Sequence, residues 1–258
     1  MKINNLRIKN KDKNSIKKLY SIDGINLIET IQDKKEKKDF LSAILYGIRQ
    51  YATITYQMTV SFDVFFRRVL NQFKIVKRRK NVKVLNFDDY QKRILNKIYT
   101  KLCDVKDQNN YIGQIIEYAY LKVVRRNDTV NKIGHEPYIS YKRLNLHGNA
   151  KYSGRFLDFV SIEDWKYITL CECKANLQQE FFSLKMGKNK GLKQKLQLMN
   201  HLETKLIQCH SRSSNDDNFV VINKVLVTAF APTNQNQLSL AYQRNIPILT
   251  ISDLTRLL

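Results

Sequence analysis

Apolar residues recur at intervals of three and four along residues 39–58 (DFLSAILYGIRQYATITYQM), the spacing of a helix with one face on a core. Ser61 is placed to cap a second helix, SFDVFFRRVLNQ, with Asp63 in its first turn. FKIVKRRKNVKVLNF (residues 73–87) then offers two short β-prone runs around a basic tip. That pattern predicts a hairpin or wing presenting Lys77, Arg78, Arg79 and Lys80 to phosphates; a solvated loop between helices is the other reading. Asp88 opens a further amphipathic helix, DDYQKRILNKIYTKLCDV, with Ile94, Leu95, Ile98 and Leu102 inward.

YIGQIIEYAYLKVVRR (residues 111–126) reads as a strong helix, after which the period changes to that of strands: HEPYISYKRLNL, GRFLDFVSI and KYITLCECKANL. Residues 188–210 return to helical spacing, with Leu192, Leu196, Met199, Leu202 and Leu206 on one stripe and Lys193, Gln194, Lys195 and Gln197 on the other face. Strand NKVLVTAF, helix QNQLSLAYQRN, strand IPILTIS and a short helix from Asp253 follow. The order predicts an α/β fold with helices packed on a mixed sheet.

Composition narrows this picture. In 258 residues, 43% hydrophobic and 10% aromatic content excludes general disorder, and no apolar run approaches the roughly 20 residues that span a bilayer. The start has no secretory h-region, which predicts a cytoplasmic protein that does not enter a membrane. Cys171 and Cys173 are poorly placed for a disulfide within one strand, so the four cysteines are expected as thiols. A net charge of +22 attracts polyanions, with nucleic acid the leading partner. The charge is denser at the start, where residues 1–104 carry 24 Lys and Arg against 10 Asp and Glu.

Against that background, two acids and a lysine gather in residues 154–177. Side chains alternate along a strand, so Glu172 and Lys174 share a face while Cys171 and Cys173 turn to the interior. A hairpin turning about Trp165 pairs residues whose numbers add to 330, which sets Asp158 across from Glu172 with Cβ atoms roughly 5 Å apart. Two hard oxygen ligands suit Mg²⁺, which completes its shell with water and substrate phosphate. Lys174 could then orient or help deprotonate an attacking water, or stabilise developing charge. Glu117 adds an acid beside a largely apolar helical stripe; an ordinary boundary glutamate paired with a cation is the plainer reading of it.

A helical Glu117, then D-x13-E-C-K across a hairpin, then a helix bearing Lys and Gln, resembles the PD-(D/E)XK nuclease superfamily, which has the restriction-endonuclease-like fold. The resemblance covers residues 108–258, implies a nuclease domain there and leaves residues 1–107 unexplained; their charge and helical pattern predict a basic, mainly helical region that binds nucleic acid. It implies that Asp158 and Glu172 hold Mg²⁺, or Mn²⁺ in its place, with Glu117 supporting the metal and Lys174 assisting the nucleophilic water. Lys193 and Gln197 are the implied contributions of the following helix. The sequence departs from the motif's name in having Leu157, not proline, before Asp158.

The expected function is metal-dependent hydrolysis of DNA phosphodiester bonds, in restriction or phage defence or in recombination, transposition or repair. A homodimer presenting two sites and a nicking monomer are both compatible with it. The alternatives are a non-catalytic nucleic-acid-binding protein with a nuclease-like fold, and an RNA nuclease. C-x-C without a matched second pair is a poor zinc signature, no H-N-H pattern surrounds His135 or His147, and no phosphate-binding glycine loop predicts a nucleotide cofactor.

Overall fold

In the computed structural model of the chain, the described residues are 3–53, 60–104, 106–147, 152, 154–188, 190–211, 220–231 and 246–258. Two sheets, nine α-helices and one short 3-10 helix (Ile3–Asn5) are described among them. A three-stranded antiparallel sheet has the order β1 (Leu6–Asn10), β3 (Pro137–Tyr141), β4 (Leu144–Asn145). A five-stranded mixed sheet has the order β2 (Val130–His135), β5 (Phe159–Glu163), β6 (Tyr167–Asn176), β7 (Val221–Phe230), β8 (Ile248–Thr250). In the larger sheet β2, β5 and β6 are antiparallel neighbours, and β6, β7 and β8 run parallel.

One face of the larger sheet packs on helices α3 (Lys34–Thr53), α6 (Gln108–Arg126) and α9 (Ile251–Leu257). Phe159, Cys171, Cys173, Val225 and Val227 belong to this core, with Phe40, Ile44, Ile48, Ile116 and Leu121 from the helices. Helices α4 (Phe62–Arg78) and α5 (Asp89–Leu102) extend the same core outward through Phe65, Val69, Phe73, Ile94 and Ile98. The basic N-terminal helices therefore share one apolar interior with the sheet. The opposite face carries Val160, Ile162, Ile168, Leu170 and Leu226. It packs on helices α7 (Leu177–Lys185) and α8 (Lys190–Ser211) and on Leu6 and Ile139 of the small sheet.

Local chemistry fixes the helix ends. Asp88 and Gln91 form a reciprocal capping box at the start of α5, and Thr250 and Asp253 do the same for α9. Gln91 is buried, and its Nε2 donates to Glu36 Oε1 at 2.6 Å, which ties α5 to α3. Gly47 allows α3 and α4 to approach closely, because a Cβ there would meet Val69 Cγ2 at 2.5 Å.

Several expectations are corrected. The hairpin around residues 73–87 is absent: α4 continues to Arg78, because Phe65, Val69 and Phe73 keep a four-residue spacing that buries one face. Lys77 and Arg78 sit in its last turn, Arg79 caps it and Lys80 follows. The segment HEPYISYKRLNL is not one strand but the end of β2 together with β3 and β4, and β3 and β4 belong to the second sheet. Strands β1 and β2 and helix α7 arise where the sequence pattern was silent. The helix expected at QNQLSLAYQRN and the end of the 39–58 helix lie outside the described residues.

Candidate active site

The hairpin of β5 and β6 has the expected register. Phe159 pairs with Cys171, Val160 with Leu170 and Ser161 with Thr169. Asp164 and Trp165 take left-handed backbone at φ 49° and 51°, and Lys166 N–H donates to Glu163 O at 2.9 Å, closing the turn. β6 is longer than β5, so its last residues run past the end of the partner strand. There the Asp158 carboxylate takes over from the ladder, its Oδ2 accepting from Cys173 N–H at 2.6 Å. That bond holds the acid beside Glu172, which is fully buried.

Two ammonium groups meet these acids. Lys174 Nζ lies 2.7 Å from Glu172 Oε1, a close ion pair with one oxygen of the buried carboxylate. Lys195 of α8 donates to Glu172 Oε2 at 3.0 Å and lies 3.5 Å from Asp158 Oδ1. Burial raises the pKa of Asp158 above the usual carboxylate range, with Glu117 adding to the rise and Lys195 and Lys174 opposing it. Burial likewise raises Glu172, assisted by Asp158 and opposed by the same lysines. For Lys174 and Lys195 burial works against the charge, but Glu172 and Asp158 outweigh it and raise both ammonium groups above their ordinary value.

Glu117 comes from α6, which packs on the sheet face that carries Cys171 and Cys173. Its Oε2 lies 2.9 Å from His135 Nε2 at the end of β2, while His135 Nδ1 is buried with no hydrogen-bond partner among the described residues. Glu117, Cys173, Lys174, Asn176 and Glu180 line a cleft of about 250 Å³ beyond the end of β6. The thiols of Cys171 and Cys173 belong to the core on the α6 face, with Sγ atoms 3.9 Å apart, and burial raises both pKa values. None of the four cysteines forms a disulfide among the described residues.

The structure thus brings Asp158, Glu172 and Lys174 together near the end of β6, with Glu117 lining the same cleft as Lys174, and it does not bring Lys193 or Gln197 into that ion-pair cluster. Lys193 is exposed, and the helix contribution comes from Lys195. The signal was present in the sequence: Lys195 is three residues after Leu192 and four before Met199, so it lies on the buried stripe itself. The His135 contact to Glu117 had no such signal. Lys77 and Lys80 do not form a free finger, because both pair with buried Asp39, at 3.3 and 2.6 Å. Arg78 and Arg79 beside them remain exposed.

The donor set fits Mg²⁺. Two buried carboxylates, Asp158 just before β5 and Glu172 on β6, match in number the one or two protein carboxylates that this ion takes, with water and phosphate filling the rest of its shell, and an ion there would take the place of the Lys174 and Lys195 ammonium groups beside them. No group of three or more His, Cys, Asp or Glu side chains is placed to hold a metal ion among the described residues.

No family model and no curated protein matches the chain. Among solved structures, the crystal structure of protein VC1899 from Vibrio cholerae is similar at 12% identity and a TM-score of 0.34, over 98% of this chain. The chain spans 57% of the length of that protein. No helix among the described residues is long and apolar enough to cross a membrane.

Proposed function

We propose that the protein is a Mg²⁺-dependent endonuclease that hydrolyses DNA phosphodiester bonds, with a PD-(D/E)XK centre in a restriction-endonuclease-like core. The observation that carries this reading is the approach of Asp158 and Glu172 across β5 and β6, with Lys174 Nζ 2.7 Å from Glu172. On a chain of net charge +22 such acids would serve a cation that a polyanionic substrate requires. Asp158 and Glu172 would hold the ion, and Glu117, fixed by His135, would act on its water shell. Bound there, Mg²⁺ would supply a Lewis acid for the phosphoryl oxygen and a more acidic water.

The raised pKa of Lys174 assigns it the part of a donor rather than a base: its ammonium orients the attacking water and offsets charge developing on the phosphorus oxygens. Lys195 is a second donor on the same side of the carboxylates. The cationic surface holds the backbone, so binding weakens steeply with salt.

The test is plasmid cleavage with and without Mg²⁺, beside Asp158→Ala and Lys174→Ala. Cleavage that needs the metal and is lost in both variants supports the reading; cleavage unchanged in both refutes it. A second reading, a non-catalytic nucleic-acid-binding protein, draws on the two lysines that already neutralise the carboxylates without any ion. Tight DNA binding with no cleavage under any divalent metal would favour it.

A further inference from the structure

A second concave surface lies between α3, the end of α4 and α6. The first turns of α3 contribute Lys34, Lys35, Lys37 and Lys38, and Lys80, Lys122 and Arg126 approach from the other elements. These seven cations surround a cavity of about 640 Å³ whose remaining lining is Leu41, Tyr118 and Leu258, with no acidic side chain among the lining residues. The three apolar and aromatic side chains are buried, so the cavity has a nonpolar floor under a cationic rim.

Neighbouring acids satisfy only part of this charge. Glu29 pairs with Lys37 at 3.3 Å and Lys122 at 2.6 Å, and Asp39 pairs with Lys80. Arg126 donates to the carbonyl of Leu258. Lys34, Lys35 and Lys38 form no ion pair within 4 Å among the described residues, although Asp39 acts on Lys38 and Asp33 on Lys35 at longer range. Lys38 is depressed below its ordinary pKa by burial and then by the like charges of Arg126 and Lys80, so the rim repels itself when empty of anions.

We propose that this cleft is a separate site for a compact ligand bearing two or more phosphate groups, of about the size of a nucleoside triphosphate. The volume falls within the roughly 300–1,000 Å³ of small-molecule sites, and convergent donors on three elements suit clustered phosphates. Its position on α6 separates it from the nuclease cleft. At about 100° per residue, Tyr118, Lys122 and Arg126 lie roughly a third to a half turn around the helix from Glu117. A straight duplex engaged by Glu117 and Lys174 therefore passes along a different side of α6. The inference does not rest on the nuclease reading.

Calorimetric titration of the full chain with inorganic tripolyphosphate, in EDTA and without Mg²⁺, tests the phosphate site alone. The expected result is saturable single-site binding that weakens by about a hundredfold or more in the triple variant Lys34→Glu, Lys35→Glu, Lys38→Glu. Lys193→Glu, on a distant exposed face, should leave it within about twofold. The three side chains hold no ion pair, so the variant should keep its far-ultraviolet circular dichroism; Lys38→Gln alone, expected to weaken binding about tenfold, provides a second measure. Absence of saturable binding up to about 1 mM, or equal affinity in the triple variant, overturns the proposal. So does displacement of the probe by a short DNA duplex whose own affinity falls by the same factor in the triple variant, since the cleft would then be part of the nucleic-acid surface.

Discussion

Lys195 places its ammonium 3.0 Å from Glu172 Oε2, reaching from α8 to a fully buried carboxylate on β6. Lys193, two residues earlier on the same helix, is exposed. Lys195→Ala should therefore lower DNA cleavage by about a hundredfold or more, the range for removing a charged donor from a catalytic centre, while Lys193→Ala stays within about threefold. Initial rates of supercoiled plasmid cleavage distinguish the two, and equal rates would remove Lys195 from the site.

Divalent metal should stabilise the chain through the same carboxylates. A ligand that binds only the folded state at a hundred times its Kd adds about 2.7 kcal/mol, so saturating Mg²⁺ should raise Tm by several degrees. Glu172→Gln keeps the shape but removes the ligand charge, and its Tm should not respond to the ion. Thermal melts read this without any turnover, and an equal response of both proteins would place the bound metal elsewhere.

The pH dependence carries a sign that is unusual for acids. Burial raises Asp158 and Glu172 above their ordinary values of 3.8 and 4.5, so above those values the folded chain binds more protons than the unfolded one. Their contribution to stability is fully present below those values and is lost as the pH rises through the folded ones. Glu29 has the opposite sign: Lys122 and Tyr118 hold it below its usual range despite its burial. The double variant Asp158→Asn, Glu172→Gln isolates the pair. Its stability in urea relative to wild type, in metal-free buffer, should improve from about pH 4 to pH 8. A constant difference would contradict the assignment.

Two helix glycines should respond with opposite signs. At Gly47 a methyl group would meet Val69 Cγ2 at 2.5 Å and Phe65 Cε2 at 3.2 Å, both packed between α3 and α4. Overpacking there should outweigh the helical preference for alanine, so Gly47→Ala should lose about 1–2 kcal/mol. Gly113 has nothing within 4 Å of the same position, and Gly113→Ala should gain about 0.5–1 kcal/mol. Urea midpoints at constant m-value check both.

The β5–β6 register could be read in advance because a period of two and a single turn at Trp165 leave one pairing that keeps Cys171 and Cys173 inward. The same reasoning misled at residues 73–87. Phe, Ile and Val there suit either period, and contact of Phe73 with Phe40 and Phe87 in the core decides for helix, which local propensity cannot register. Strand β2, with the sequence VNKIGH, has too few apolar residues to alternate; it is held by its ladder to β5 and by contact of Gly134 with Ile8. Lys195 was legible but misassigned, since a cation on an apolar stripe was placed on the solvated face. His135 was not legible as the partner of Glu117, because only the tertiary fold brings β2 beside α6.

Strand β1 pairs Leu6 with Tyr141 and Asn10 with Pro137, so the small sheet waits for chain made more than a hundred residues later. During synthesis the first ten residues remain without their partner until the emerging polypeptide reaches β3, and long-range closure of this kind slows folding. A fragment beginning at residue 108 would leave β3 with an open edge and α6 with its apolar side in water, a combination that favours insoluble aggregates over an independently expressed domain.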